Sequence, residues 1–155
     1  VGGCRMSITG VAQDARPRER RVHTIMVIGF SGTRRGMSTR QKLDLVTKLQ
    51  ELSVTEFHHG DCIGADAEAH DIVRDQFPDI QIVVHPPNDD KQRAWRRGDV
   101  ILPTGYYLNR NRSIVDSTEA LIATPWESRN VVRSGTWFTI RYAQEIGKPA
   151  HIIGR

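Results

Sequence analysis

At 155 residues, with 38% hydrophobic and 26% charged residues, the chain suits one ordinary globular domain whose core needs no covalent staples. No apolar run approaches the roughly 20 residues that cross a bilayer, the first 21 residues lack the apolar core of a secretory signal peptide, and two cysteines, Cys4 and Cys62, make no disulfide framework, so a cytoplasmic protein without a membrane partner is expected. The net charge of +4 points to an anionic partner and no further.

Residues 1–21 carry few large apolar side chains, no period, and a cluster of Arg16, Arg18, Arg20 and Arg21. They are predicted to be a disordered basic tail, with the folded domain spanning 22–155. The run HTIMVIGF is short, continuous and β-branched, as a strand buried on both faces of a parallel sheet would be. It breaks at Gly29-Phe30-Ser31-Gly32-Thr33-Arg34. A helix is predicted from Ser38, where Gln41 completes a capping box, with Leu43, Val46, Leu49 and Leu52 as its apolar stripe. A second strand over 54–59 ends in Gly60-Asp61-Cys62-Ile63-Gly64, and the next helix carries Ala65, Ala69, Ile72, Val73 and Phe77 on one face before Pro78 stops it. The strand IQIVVH follows, then an irregular stretch over 88–103 whose length points to function or mobility.

Thr104 is placed to cap a helix running to about Asp116, followed by the strand EALIAT, which ends at Pro125. Residues 126–133 read as a loop. Ser134-Gly135-Thr136 opens a last helix, with Ile140, Ala143 and Ile146 facing inward, Gly147 ending it and Pro149 introducing the closing strand AHII. The order β-α-β-α-β-loop-α-β-α-β predicts an α/β, Rossmann-like domain: a mostly parallel five-stranded sheet with helices on both faces.

In such sheets ligands bind beyond the carboxyl ends of the strands, where the strand order reverses. The unusual residues of this chain fall at that edge: GFSGTR after the first strand, HGDCIGAD after the second, TPWESRNVVRSGT after the fourth. Glycines let a backbone approach a ligand, and free N–H groups at a helix start make an anion site. Ser134-Gly135-Thr136 is the clearest phosphate cradle. In the helix YYLNRNRSIVDS, Tyr107, Leu108, Ile114 and Val115 are read as the buried side. Asn111 points among them and needs a partner, with Arg110 and Arg112 flanking the seam. Neither GxGxxG nor GxxxxGK[ST] occurs, so the dinucleotide and Walker fingerprints are absent.

As an ordered set, Gly29-Phe30-Ser31-Gly32-Thr33-Arg34, Gly60-Asp61 with Gly64-Ala65-Asp66, Asn109-Arg110-Asn111-Arg112, and Ser134-Gly135-Thr136 followed by Gly147-Lys148-Pro149 resemble the SLOG superfamily of Rossmann-like domains. That group includes the DNA-processing protein DprA, the LOG phosphoribohydrolases and nucleotide-sensing domains of bacterial defence and phage proteins. The resemblance implies binding of a nucleotide or nucleotide-derived ligand, for sensing or sequestration, and self-association into a homo-oligomer. The ligand-binding residues it and the sheet-edge argument select are Gly29, Ser31, Gly32, Thr33, Arg34, Gly60, Asp61, Gly64, Ala65, Asp66, Asn109, Arg110, Arg112, Pro125, Ser134, Gly135 and Thr136, with no further cofactor required. LOG enzymes resemble the chain around a PGGxGTxxE stretch whose final Glu is catalytic. Here that position is Thr139, and a hydroxyl cannot replace a carboxylate in proton transfer, so the chain is expected to bind rather than cleave. A LOG-type N-glycosidase, with Asp66 or Glu127 supplying a displaced carboxylate, and a DprA-type binder of single-stranded DNA remain as alternatives.

His58, His59, Asp61 and Cys62 look like a metal cluster, but adjacent strand residues face opposite ways and no second ligand pair has zinc spacing. No metal is expected. Trp126 is a candidate for stacking on a base, and Trp137 for the core. Lys91, Arg93, Trp95, Arg96 and Arg97 in the long loop suit either a lid over phosphates or a track for a nucleic-acid strand.

Overall fold

The computed structural model describes residues 25–155. The expected basic tail and the first residues of the predicted opening strand lie outside them. The chain forms β1 (Val27–Gly32), α1 (Thr39–Glu51), β2 (Glu56–His59), α2 (Ala65–Gln76), β3 (Gln81–Val84), β4 (Val100–Ile101), α3 (Tyr107–Asp116), β5 (Ala120–Thr124), α4 (Gly135–Glu145) and β6 (Ala150–Ile152). All neighbouring strands are parallel, in the order β4-β3-β2-β1-β5-β6. The architecture is the expected Rossmann-like α/β sheet, with six strands in place of five. The sixth is β4, two exposed residues inside the stretch read as irregular, too short to leave any period in the sequence.

Alternation along β5 explains both layers. Ala120 and Ile122 join Ile28, Phe30, Leu45, Leu49, Phe57, Ala69, Val73 and Ile82 in the larger core under α1 and α2. Leu121 and Ala123 face the other way, onto Val115 of α3 and Trp137, Ile140 and Ala143 of α4. All five β5 residues are buried, as a strand covered on both faces requires. The chain walks outward from β1 to β4 and returns through α3 to β5. Strand order therefore reverses between β1 and β5, and their carboxyl ends flank the crevice where such folds take ligands.

The capping box of α1 is present: Ser38 Oγ accepts from the Gln41 N–H at 3.1 Å and Gln41 Oε1 accepts from the Ser38 N–H at 3.0 Å. Gln41 is also fully buried, and its Nε2 donates to the carbonyls of Pro125 (3.1 Å) and Ile153 (3.0 Å). This satisfied polar group ties the start of α1 to the ends of β5 and β6. It also rotates the helix: the inward stripe is Gln41, Leu45 and Leu49, while Leu43, expected inside, is 65% exposed. Three other expectations are corrected. Tyr106, not Thr104, precedes the first turn of α3. Tyr107 and Leu108 are about two-fifths exposed, and Ile146 at the end of α4 is exposed as well.

Candidate functional site

A pocket of about 210 Å³ opens beyond the carboxyl ends of β1 and β5. Ser31, Gly32, Thr33 and Arg34 enter it from the end of β1, and Asp66 from the first turn of α2. Arg110 comes from α3, and Ser134, Gly135 and Thr136 from the start of α4. These nine sequence-selected residues meet although they come from four separate stretches. Cys62, Tyr107, Asn111, Trp126 and Glu127 complete the lining and were not selected. Asn111 and Trp126 carried a signal, an inward polar residue and an aromatic after a strand end. Cys62 and Glu127 sit in aperiodic loops and were weighed only as part of a metal cluster and as a displaced carboxylate.

The α4 end of the pocket is a helix N-terminus whose first N–H groups have no intrahelical acceptor. Ser134 caps it, with Oγ accepting from the Trp137 N–H at 3.2 Å. The Trp137 indole N–H donates to the Glu127 carbonyl at 3.2 Å, fixing the loop after β5 against the same helix. Thr139, which stands where the resembled hydrolases carry their glutamate, is fully buried, and its hydroxyl donates to the Gly135 carbonyl at 2.9 Å. It presents no group to the pocket.

Arg110 is the electrostatic centre. It is 5% exposed, one turn into α3. Its Nη2 donates to Cys62 Sγ at 3.2 Å, and its Nε is buried with no hydrogen-bond partner. Among the described residues no carboxylate pairs with it within 4 Å. Arg110 Nη1 fills the space beside Gly60: a Cβ there would sit 1.6 Å from it. That position must be glycine for the cation to reach the pocket. Asp66, also buried, accepts from the Cys62 N–H at 3.1 Å. Burial pushes its carboxyl up to about 6 against the opposing pull of the Arg110 charge. Burial likewise raises the Cys62 thiol. At the mouth, Arg34 lies 5.1 Å over the Tyr107 ring, while Arg35 and Arg155 lie 4.6 and 3.8 Å over Trp126.

The other selected residues lie around this pocket rather than in its lining. Gly29 is inside β1 against Ile114 and Thr118, and Gly64, at φ +104°, packs on the Arg34 backbone. Ala65 is core, and Pro125 is buried with its carbonyl held by Gln41. Asn109 and Arg112 are exposed on α3, Arg112 lying 5.2 Å over the Phe138 ring. Asp61 is fully buried, but its oxygens accept from Arg93 Nε (3.2 Å) and the Arg96 N–H (2.9 Å). The long loop is thereby strapped to the domain. Arg96 also forms a two-pronged bond to Asp71, both contacts 2.9 Å, and Arg74 pairs with Asp99 at 3.0 Å. Two of the three arginines read as a nucleic-acid track are thus neutralised by aspartates.

The histidines fall on opposite faces of β2, as alternation requires. His58 bonds Glu56 Oε1 (2.6 Å) and His85 (2.8 Å), and His59 bonds His70 (2.9 Å). Among the described residues no group of three or more His, Cys, Asp or Glu is arranged to hold a metal. Burial holds His59 well below the usual imidazole range, lowers His70, and takes His85 down to about 4. An imidazole that titrates lower when folded contributes stability above 6.5 and loses it as the pH falls toward the folded value. For His85 that loss is roughly 3 kcal/mol between pH 6.5 and 4. Asp66, raised instead, works in the opposite direction between 3.8 and 6, and His59 and His70 tip the balance. The expected result is a melting temperature that falls steadily from pH 7 to 4.5, less steeply in His85→Gln. A flat profile would contradict it.

No protein-family model and no curated protein matches the chain. Among solved structures it is similar to DNA processing protein A from Helicobacter pylori, described for its single-stranded DNA binding mode, at 19% identity and TM-score 0.56. The match covers 82% of this chain and 64% of that one, so the chain spans under two thirds of the DprA structure. It is also similar to the structural-genomics target TM1055, at 17% identity and TM-score 0.59, over 81% of this chain and 72% of that one. Both likenesses are of fold, and they make it a DprA-like Rossmann fold. Among the described residues no helix is long and apolar enough to cross a membrane.

Proposed function

We propose that the chain binds a nucleotide or nucleotide-derived molecule in the pocket between β1 and β5, with a phosphate held by Arg110 and the start of α4. One observation carries this reading: a cation 95% buried, with an N–H lacking any partner and, among the described residues, no carboxylate in pairing distance. A buried charge is expensive unless paired, and an anionic ligand is the partner that the open pocket can admit. The free N–H groups of the α4 start add a second anion-binding element. Thermal-shift and calorimetric titration with mono-, di- and cyclic nucleotides and ADP-ribose is the test. A ligand at about a hundred times its Kd adds roughly 2.7 kcal/mol, a rise of several degrees in Tm. Stabilisation by none of them would overturn the reading. Chromatography of the same samples checks for cleavage, because Asp66 and Glu127 both line the pocket.

A single-stranded DNA reading is favoured by the exposed cations Arg34, Arg35 and Arg155 gathered with Trp126 and Tyr107 at the mouth. It expects oligonucleotide binding that weakens steeply with salt and drops on substitution of Arg34 and Arg35. Substitution of Arg96, already paired with Asp71, should have little effect.

A further inference from the structure

Position 135 does not need glycine for its backbone. Its φ lies outside the left-handed region that favours glycine, and alanine suits a helix better. The missing side chain makes room for Tyr107. A Cβ at 135 would sit 1.6 Å from Tyr107 Oη and 2.6 Å from its Cζ. The first residue of α3 thus reaches across the pocket and rests on the first residue of α4. Its hold there is light. The Arg34 and Arg110 guanidinium carbons lie 5.1 and 5.7 Å from the centre of its ring. The residue is 40% exposed, and no side chain caps the turn of α3 that carries it.

We infer that Tyr107 is the gate of this pocket: seated on Gly135 it closes the way to Cys62 and Arg110, and swung out into solvent it opens that way. The inference concerns access, holds whatever the pocket takes, and so goes beyond the nucleotide reading. With the phenol seated, the cavity is about 210 Å³, below the roughly 300–1,000 Å³ of pockets that enclose a drug-sized ligand. A ligand of that size enters only with part of the lining displaced. Tyr107 is the part free to yield. Arg110 and Asp66 are buried, and Ser134, Gly135 and Thr136 are set in the capped turn of α4. The Trp137 indole pins the Glu127 backbone, and Trp126 is stacked by both Arg35 and Arg155. The hold on Tyr107 is also selective. Arg34 and Arg110 are the cations that an entering anion takes up, so an anion loosens the gate as a neutral molecule does not.

Cys62 is a reporter that needs no ligand. Its thiol lines the pocket with Tyr107, and the residue is 7% exposed. The rate at which N-ethylmaleimide alkylates it in the full chain, read by mass spectrometry of the Cys62 peptide so that Cys4 does not interfere, measures how often the gate stands open. Tyr107→Ala is expected to raise that rate roughly tenfold, the combined worth of two partly exposed cation–π contacts. Gly135→Ala should raise it to a similar degree with Tyr107 still present, because the added methyl takes the seat of the phenol. In the double variant the gain should be no larger than in Tyr107→Ala alone, the non-additivity of residues in contact. In the wild type, alkylation should change little with urea below the unfolding transition, since a side-chain swing exposes little surface. That measurement needs no variant to fold. A wild-type rate that climbs with urea as steeply as global unfolding would overturn the inference, because Cys62 would then be reached only through unfolding. Gly135→Ala reacting at the wild-type rate, or adding its full effect on top of Tyr107→Ala, would overturn it too.

Discussion

Arg110→Met is expected to weaken binding of a phosphate ligand by roughly thirtyfold or more, the lower end of what truncating a buried charge in an interface costs, while leaving the fold as stable as before or more so. The two effects have one cause. Arg110 is buried with an unpartnered Nε and, among the described residues, no carboxylate in pairing distance, so without a bound anion its charge is a burden. Exchange of buried ionic groups for apolar ones of similar volume is often neutral or stabilising by about 1–4 kcal/mol, and methionine fills much of the same space over Gly60. Removal of the cation also lifts the Asp66 carboxyl further, because the Arg110 charge is what pulls it down toward about 6. That shift disfavours the charged carboxylate and so limits the unpaired anion left behind. Arg110→Lys should bind with intermediate strength, keeping the charge but losing the planar fork that accommodates a phosphate. Paired melting curves and titrations check this. A variant that melts higher and still binds like the wild type would refute the assignment of Arg110 to the phosphate.

The parts of this site that were legible in the sequence are those governed by period or by turn chemistry. Short apolar strands alternating with amphipathic helices fixed the parallel sheet, and the sheet fixed which turns share an edge. Ser31 through Arg34 and Ser134 through Thr136 meet at the pocket for that reason. What was not legible depended on long-range partners. In α3, Asn111, Ile114 and Val115 are buried as read, but Arg110 takes the inward place assigned to Tyr107 and Leu108, which outrank it in hydrophobicity. Only the glycine at position 60, fifty residues earlier, makes room for a buried guanidinium. Likewise, no local rule pairs Arg93 with Asp61 or Arg96 with Asp71, so the loop arginines read as a free basic track. Two-residue β4 left no pattern to read. The misread charged positions share one trait: a side chain whose environment is assembled from another part of the chain.

Asp61 shows the consequence most sharply, and its replacement by alanine should be the most destabilising single change near the site. The residue is fully buried at the turn after β2. One carboxylate oxygen accepts from Arg93 Nε and the other from the Arg96 N–H, its carbonyl accepts from the Ala94 N–H at 2.8 Å, and its own N–H donates to His59 Nδ1 at 2.9 Å. It therefore joins β2, the long loop and, through His59 and His70, α2. Breaking a buried ion pair from one side costs about 3–5 kcal/mol because the remaining charge is left uncompensated. Arg93 is partly exposed and can recover some hydration, which favours the lower figure. The backbone adds to it: Asp61 sits at φ +52°, a left-handed conformation that aspartate and asparagine tolerate better than alanine. The expected fall in melting temperature is on the order of 10 °C. Asp61→Asn keeps an accepting oxygen and the backbone preference, and should lose about a third as much, roughly the worth of the charge in one assisted hydrogen bond. Because the strap holds 93–96, limited trypsin digestion supplies an independent readout. Cleavage after Arg96 or Arg97 should accelerate in Asp61→Ala well below its melting temperature. A variant that melts like the wild type and resists trypsin equally would mean that Asp71 and Asp99 hold the loop without it.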